Sequence, residues 1–184
     1  MIAHCPQVIH VSASSLQTTY ATVTLTSCGT RAGGPWRARV GRNGLSADHH
    51  EGEETTPLGT YAIGPVVYGV AANPGVTLRY HRLVCGDWWD EDPASTAYNT
   101  FQHVACGRAP PFGGGSEALW ESPRAYRFFA VVEYNAARVP GRGSGIFLHV
   151  DTGSATNGCV TLPVADLVQT LRWLRAGARI RIAA

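Results

Sequence analysis

With 184 residues, 45% hydrophobic and 15% charged, the chain suits one domain with a sizeable core, and the whole span 1–184 is read as a single domain. A net charge of +2 gives no argument for nucleic acid, and no apolar run reaches membrane-spanning length. The 21 glycines and 11 prolines favour many short strands over long helices, so a mostly β fold is expected, with packed mixed sheets.

The elements follow in chain order. Gln7 to Ser12 is a short apolar run and reads as a first strand. From Thr19 to Thr26 threonine and tyrosine alternate with Ala21, Val23 and Leu25, which is the two-residue period of a half-buried strand. Gly29 to Pro35 reads as a turn. Trp36, Ala38 and Val40 then alternate with Arg37 and Arg39. The segment 41–55 holds His49, His50, Glu51, Glu53 and Glu54 without a second ligand pair at metal spacing, so it reads as an exposed acidic loop and not a metal site. Thr56-Pro57-Leu58-Gly59-Thr60-Tyr61 is a turn entering a strand: Pro57 fixes one dihedral and Gly59 relaxes another.

Val76 to Tyr80 reads as a further strand. Cys85 to Cys106 encloses an aromatic, acidic stretch that reads as a long loop, in which Trp88 and Trp89 are candidate substrate contacts. His103 reads as structural. Gly113 to Gly115 is a flexible spacer, because no lysine and helix follow to make a phosphate loop. Ala125 to Tyr134 is an apolar strand, and Arg138 in the following connection is a candidate partner for a substrate carboxylate.

Gly145 to Pro163 carries the chemistry. An apolar strand ends in His149, a short polar loop follows, and Gly158-Cys159 leads into an apolar exit. A thiol needs a base near neutral pH, and histidine is the usual one. Gly158 allows close backbone approach, and its amide with that of Cys159 is a candidate oxyanion site. After Pro163, apolar residues recur at helical spacing from Val164 to Leu174, giving the one main helix. Cys159 thus sits just ahead of a positive helix end. Ala178 to Ile182 is a last strand.

The histidine-ending strand, loop and Thr156-x-Gly158-Cys159-Val160 resemble the L,D-transpeptidases of bacterial cell walls, the YkuD/ErfK type. The Thr56–Tyr61 turn is a second match, and the resemblance is clearest over residues 36–175. Three positions depart from the pattern. The loop from His149 to Thr156 is short, Asn157 stands where a second histidine is usual, and Thr161 stands where asparagine or arginine is usual.

The resemblance implies an enzyme: a peptidoglycan L,D-transpeptidase that forms 3→3 cross-links through a thioester. Cys159 would be the nucleophile and His149 the general base and acid. The carbonyl of Val150 would orient the imidazole, and Thr156 and Asn157 would be further candidate substrate contacts. It implies no metal or organic cofactor, peptidoglycan stem peptides as partners, and carbapenem-type β-lactams as acylating inhibitors. Giving the thioester to water instead would make an L,D-carboxypeptidase or related hydrolase, and an inert thiol would leave a non-catalytic wall-binding domain.

Five cysteines, an odd count, fit two disulfides and one free thiol in an oxidising compartment. Short loops and the single reactive thiol favour Cys5–Cys28 and Cys85–Cys106, leaving Cys159 free; five reduced thiols are the alternative. The expected location is therefore outside the cytoplasm, in the cell wall or periplasmic space. No signal peptide is visible, and Met1, the only methionine, reads as an initiator before a domain whose export signal was removed.

Overall fold

The structure is a computed structural model and describes residues 5–184; the reading of Met1 falls outside these. In chain order the strands are β1 (Gln7–Ala13), β2 (Tyr20–Ser27), β3 (Thr30–Arg39), β4 (Leu45–Ser46), β5 (Thr56–Pro57), β6 (Gly59–Gly69) and β7 (Arg79–Arg82). After them come β8 (Asp87–Asp90), β9 (Thr100–His103), β10 (Glu117–Ala118), β11 (Phe129–Val132), β12 (Phe147–Val150) and β13 (Val160–Leu162). Helix α1 (Val164–Trp173) and β14 (Arg179–Ala183) complete the chain.

Nine strands form one mixed sheet in the order β11-β12-β13-β3-β2-β1-β14-β6-β7. Strand β11 also pairs with β6, which closes eight of the strands into a ring. Strands β11, β12 and β13 are buried along their whole length, as expected of strands covered on both faces. Their two faces serve different clusters. Leu148, Val150, Val160 and Leu162 join the main core with Leu167 and Leu171 of α1 and Leu174 just after it. Phe147 faces the other way and joins Trp89, Tyr126 and Phe129 in a second, aromatic cluster. The candidate site residues Cys159 and His149 lie on that second side.

Several sequence expectations are corrected. The turn predicted over Gly29–Pro35 is confined to Cys28-Gly29, and Thr30–Pro35 already belongs to β3. Its glycines mark an irregular crossing, not a reversal. The β2–β3 register shifts beside Val23 and Leu25, and a Cβ on Gly34 would lie 2.3 Å from the Val23 carbonyl oxygen. The strand expected at Val76–Tyr80 runs instead over Arg79–Arg82, and that expected at Ala125–Tyr134 is a single 3-10 turn, Ala125–Arg127, followed by the shorter β11.

The segment between Cys85 and Cys106 is no loop either. It contains β8 and β9, which with β10 make a three-stranded antiparallel sheet. Both disulfides, Cys5–Cys28 and Cys85–Cys106, are formed, and Cys159 is free. Each bridge contributes about 2–4 kcal/mol by restricting the unfolded chain. The expected neighbourhood of Cys159 and a helix start is also revised: β13 separates them, which at about 3.3 Å per residue puts roughly 10 Å of strand between thiol and helix end. The macrodipole, which acts mainly within a turn of the terminus, is therefore a poor source of thiolate stabilisation.

Candidate active site

Strands β12 and β13 run parallel, with His149 opposite Thr161. The two-residue period puts His149 on the same face as Phe147, on the aromatic cluster. Its ring meets Tyr126 edge-on, 5.6 Å between centroids. Cys159, one residue before β13, packs against the same cluster.

The loop between them is tied down by its own side chains. The Thr156 hydroxyl donates to the Cys159 carbonyl at 2.6 Å and accepts from the Gly158 amide at 3.1 Å. The Thr156 backbone bridges to Val40 and Arg42. The Thr56 hydroxyl in turn accepts from the Gly41 amide at 2.8 Å. The Thr56–Tyr61 turn therefore acts as scaffold, bracing the Gly41–Gly44 turn on which the catalytic loop rests.

These bonds change two expected roles. Thr156 holds the loop and has no hydroxyl proton left for a substrate. The Gly158 amide is already engaged, so it is not the oxyanion donor. The Cys159 amide, by contrast, donates to no backbone or side-chain acceptor among the described residues.

His149 is 7% exposed. Its Nδ1 lies 2.9 Å from the Val150 carbonyl oxygen. A carbonyl only accepts, so Nδ1 carries the proton and Nε2 keeps a lone pair. The Val150 carbonyl is thus the orienting group, while the Val150 side chain belongs to the main core. Asp151 is not that group: its carboxylate accepts from the Gly153 amide at 2.8 Å. Burial pulls the His149 pKa down to about 4, so the ring is a neutral base at physiological pH.

The Cys159 sulfur accepts from the Phe147 amide and donates to the Gly145 carbonyl, both at 3.3 Å. Burial pushes its pKa up, and the Glu117 and Glu91 carboxyls add to this. The resting site therefore holds a neutral thiol and a neutral imidazole, not a preformed ion pair.

Cys159 borders a cavity of about 430 Å³ whose walls include His49, Glu51, Glu91, Glu117 and Asn157. No arginine lines it. Burial, with the charges of Glu117, Glu51 and Asp90, pushes the Glu91 pKa up to about 9. Burial also raises the Glu117 pKa, although the carboxylate of that residue accepts from the Tyr126 hydroxyl. Glu91 consequently keeps its proton at neutral pH in the fold and loses it on unfolding. Its penalty begins above the unfolded value near 4.5 and grows as pH rises toward 9. Glu91→Gln, which never ionises, is expected to stabilise the protein by up to about 3 kcal/mol at pH 7 and by nothing at pH 4, read by chemical denaturation at the two pH values.

The remaining expected contacts are redistributed. Trp89 is buried, 5.1 Å from the Phe147 ring, and its indole N–H donates to Asn99, so it is core and not a substrate platform. Trp88, pointing oppositely from β8, packs on Trp120 and Phe112 away from the cavity. Arg138 is exposed and is not part of the cavity wall. Asn157 does line the cavity. His103 has a partner the sequence hid: with His81 it clasps the buried Asp87, each at 2.7 Å. The segment read as an exposed acidic loop is revised most. His49 is 4% exposed, and Glu51 is bonded by Tyr98 and Ser144. Among the described residues no group of three or more His, Cys, Asp or Glu is placed to hold a metal ion.

A model of the L,D-transpeptidase catalytic domain family, YkuD, matches residues 6–182. The chain belongs to this family. Among solved structures, L,D-transpeptidase 1 of Mycobacterium tuberculosis is similar at 12% identity and a TM-score of 0.45, over 98% of this chain and 63% of that one. The helical cell shape determining protein Pgp2 of Campylobacter jejuni is similar at 12% identity and a TM-score of 0.47, over 98% of this chain and 48% of that one. The chain thus spans between about half and two thirds of the length of these structures. A search of curated proteins found no match.

Proposed function

We propose that this chain is a peptidoglycan L,D-transpeptidase that forms 3→3 cross-links through a Cys159 thioester. The observation that supports this best is the placement of the free cysteine. It borders the acidic cavity and shares its aromatic cluster with a neutral, oriented imidazole. His149 Nε2 takes the thiol proton as the sulfur attacks the carbonyl between the diamino-acid residue of a tetrapeptide stem and its terminal D-alanine. The Cys159 amide donates to the developing oxyanion. D-alanine leaves with the proton from His149, and a side-chain amine of a second stem then displaces the sulfur.

No metal or organic cofactor takes part in this scheme, and carbapenems would acylate the same sulfur. The two disulfides support a place outside the cytoplasm, in the cell wall or periplasmic space. Among the described residues no helix is long and apolar enough to cross a membrane. Residues 1–184 act as one catalytic domain in this reading.

The test is product analysis on tetrapeptide stems. Released D-alanine with a cross-linked dimer supports the proposal. Released D-alanine with free tripeptide alone makes the protein an L,D-carboxypeptidase. No D-alanine release, with a Cys159 that reacts only in denaturant, leaves the non-catalytic wall-binding reading.

A further inference from the structure

The charges of this chain are segregated along the sequence. None of its 13 acidic residues falls in residues 1–47 or 167–184, although each of those segments holds four arginines. The two segments supply β1, β2, β3 and β14, which are neighbours in the main sheet. Their inward side chains, among them Ile9, Val23, Ala38 and Ile180, belong to the main core. The alternate side chains point outward, and the strand register lines them up. Arg179 stands level with Val8, Thr26 and Arg31, and Ala183 with Ser12, Thr22 and Arg37.

The outer face therefore has arginine at both edges, Arg179 and Arg181 on β14 and Arg31, Arg37 and Arg39 on β3, with hydroxyl side chains between them. At about 4.8 Å per strand the two edges lie roughly 14 Å apart. Arg31, Arg37, Arg179 and Arg181 are exposed, and Arg39 is half-buried. Arg37 and Arg39 pack on the Tyr20 ring, 4.2 and 4.1 Å from its centroid. Among the described residues the arginines paired with a carboxylate are Arg42, with Glu54, and Arg142, with Asp48, so the fold neutralises none of these five. Asp151 borders one corner of the face, beside Arg37 and Arg39, and its carboxylate accepts from the Gly153 amide. In the eight-strand ring β1 and β2 stand four places from β12 and β11. The basic face is thus on the opposite side of the ring from the aromatic cluster that holds Cys159.

We propose that the outer face of β14, β1, β2 and β3 docks on an anionic lipid bilayer, through arginine and lipid phosphate. A guanidinium binds phosphate through two parallel hydrogen bonds. A single polyanionic chain is tracked by cations along a groove, whereas these stand at two edges of a plane four strands wide. A plane of cations matches a plane of phosphates. Between the edges lie hydroxyls and not large apolar side chains, so the attachment is electrostatic, without insertion, and is screened by salt. The asymmetry of charge also sets the orientation. Lipid phosphate attracts the arginine face and repels the acidic segment 48–54, part of which lines the Cys159 cavity. The cavity is thereby turned away from the lipid. This inference concerns where the domain sits and does not rest on the transpeptidase reading.

The test is cosedimentation with vesicles. The wild-type protein is expected to bind vesicles of phosphatidylglycerol and phosphatidylcholine at low ionic strength, to leave them at about 1 M salt, and to ignore phosphatidylcholine alone. Arg179→Gln combined with Arg181→Gln is expected to lower the partition constant about 25-fold, or about fivefold for each charge. Arg31→Gln combined with Arg37→Gln, at the other edge, is expected to do the same, so if one pair does not fold the other decides. Arg108→Gln combined with Arg138→Gln removes the same charge from exposed positions outside this face and is expected to change binding less than about twofold. No binding to the anionic vesicles, or an equal loss in the Arg108 and Arg138 pair, overturns the inference. Free polyphosphate that binds as tightly as the vesicles at equal phosphate assigns the face to a soluble polyanion and overturns it as well.

Discussion

His149→Gln is expected to slow acylation of Cys159 by roughly 10²–10⁴-fold, the range for loss of a positioned general base. The resting thiol is neutral, with a pKa raised by burial and by Glu117 and Glu91, so no standing thiolate compensates. The pH profiles should differ in kind. In the wild-type protein the base stays competent until it is protonated. Its pKa is about 4, so the acid limb of kcat/KM should lie near that value and not near the ordinary 6.5. In the variant that limb disappears, and the rate instead climbs with pH as hydroxide removes the thiol proton. A loss under about threefold, or an acid limb that survives in the variant, would remove His149 from the chemistry. The same shift has a stability consequence. A folded pKa below the unfolded one means the stabilisation is whole above pH 6.5 and fades as pH falls toward 4, by up to about 3 kcal/mol.

Gly158→Ala is expected to damage both stability and acylation. Gly158 has φ of +146°, where L side chains are strained. A Cβ there would lie 2.9 Å from Ile146 Cδ1 and 3.1 Å from the Thr55 carbonyl oxygen. Neither neighbour yields easily: Ile146 is in the main core, and Thr55 precedes the bracing Thr56–Tyr61 turn. Strain of this kind costs on the order of 1–3 kcal/mol, or roughly 2–12 °C in Tm for a domain of this size. The displaced Cys159 amide should add a loss of about 10²-fold in acylation, because small misplacements at a reacting centre are expensive. Calorimetry and single-turnover acylation read the two effects separately. A variant with wild-type Tm and wild-type acylation would show that this backbone shape is incidental.

How far the sequence revealed the molecule depends on whether a feature is local. The strand carrying His149, the loop and Cys159 are legible because the two residues lie within a single strand-loop-strand unit, and residue type with spacing suffices to find them. The alternation in β2 is legible for the same reason, since its period survives in its burial. The acidic cavity is not local. Glu51, Glu91 and Glu117 come from three separate segments, and each alone looks like a solvated carboxylate. His49 was hidden in a run of acids that suggested exposure, but Tyr134 and the Gly143 and Gly158 backbone, all distant in sequence, pack against it. Trp88 and Trp89 misled in the opposite way. Adjacent aromatics suggest a platform, but strand geometry sends them to opposite faces, and one of those faces is core. The shared aspartate of His81 and His103 needed the strand register that brings Asp87 opposite His103.

The central claim is that the sulfur of Cys159 becomes acylated in the folded protein with His149 as its base. Intact mass spectrometry after exposure to a carbapenem tests it directly. The account predicts a single covalent adduct on the native protein, none on Cys159→Ala, and a much slower adduct on His149→Gln. An unmodified native protein, or an adduct that persists in Cys159→Ala, would contradict it.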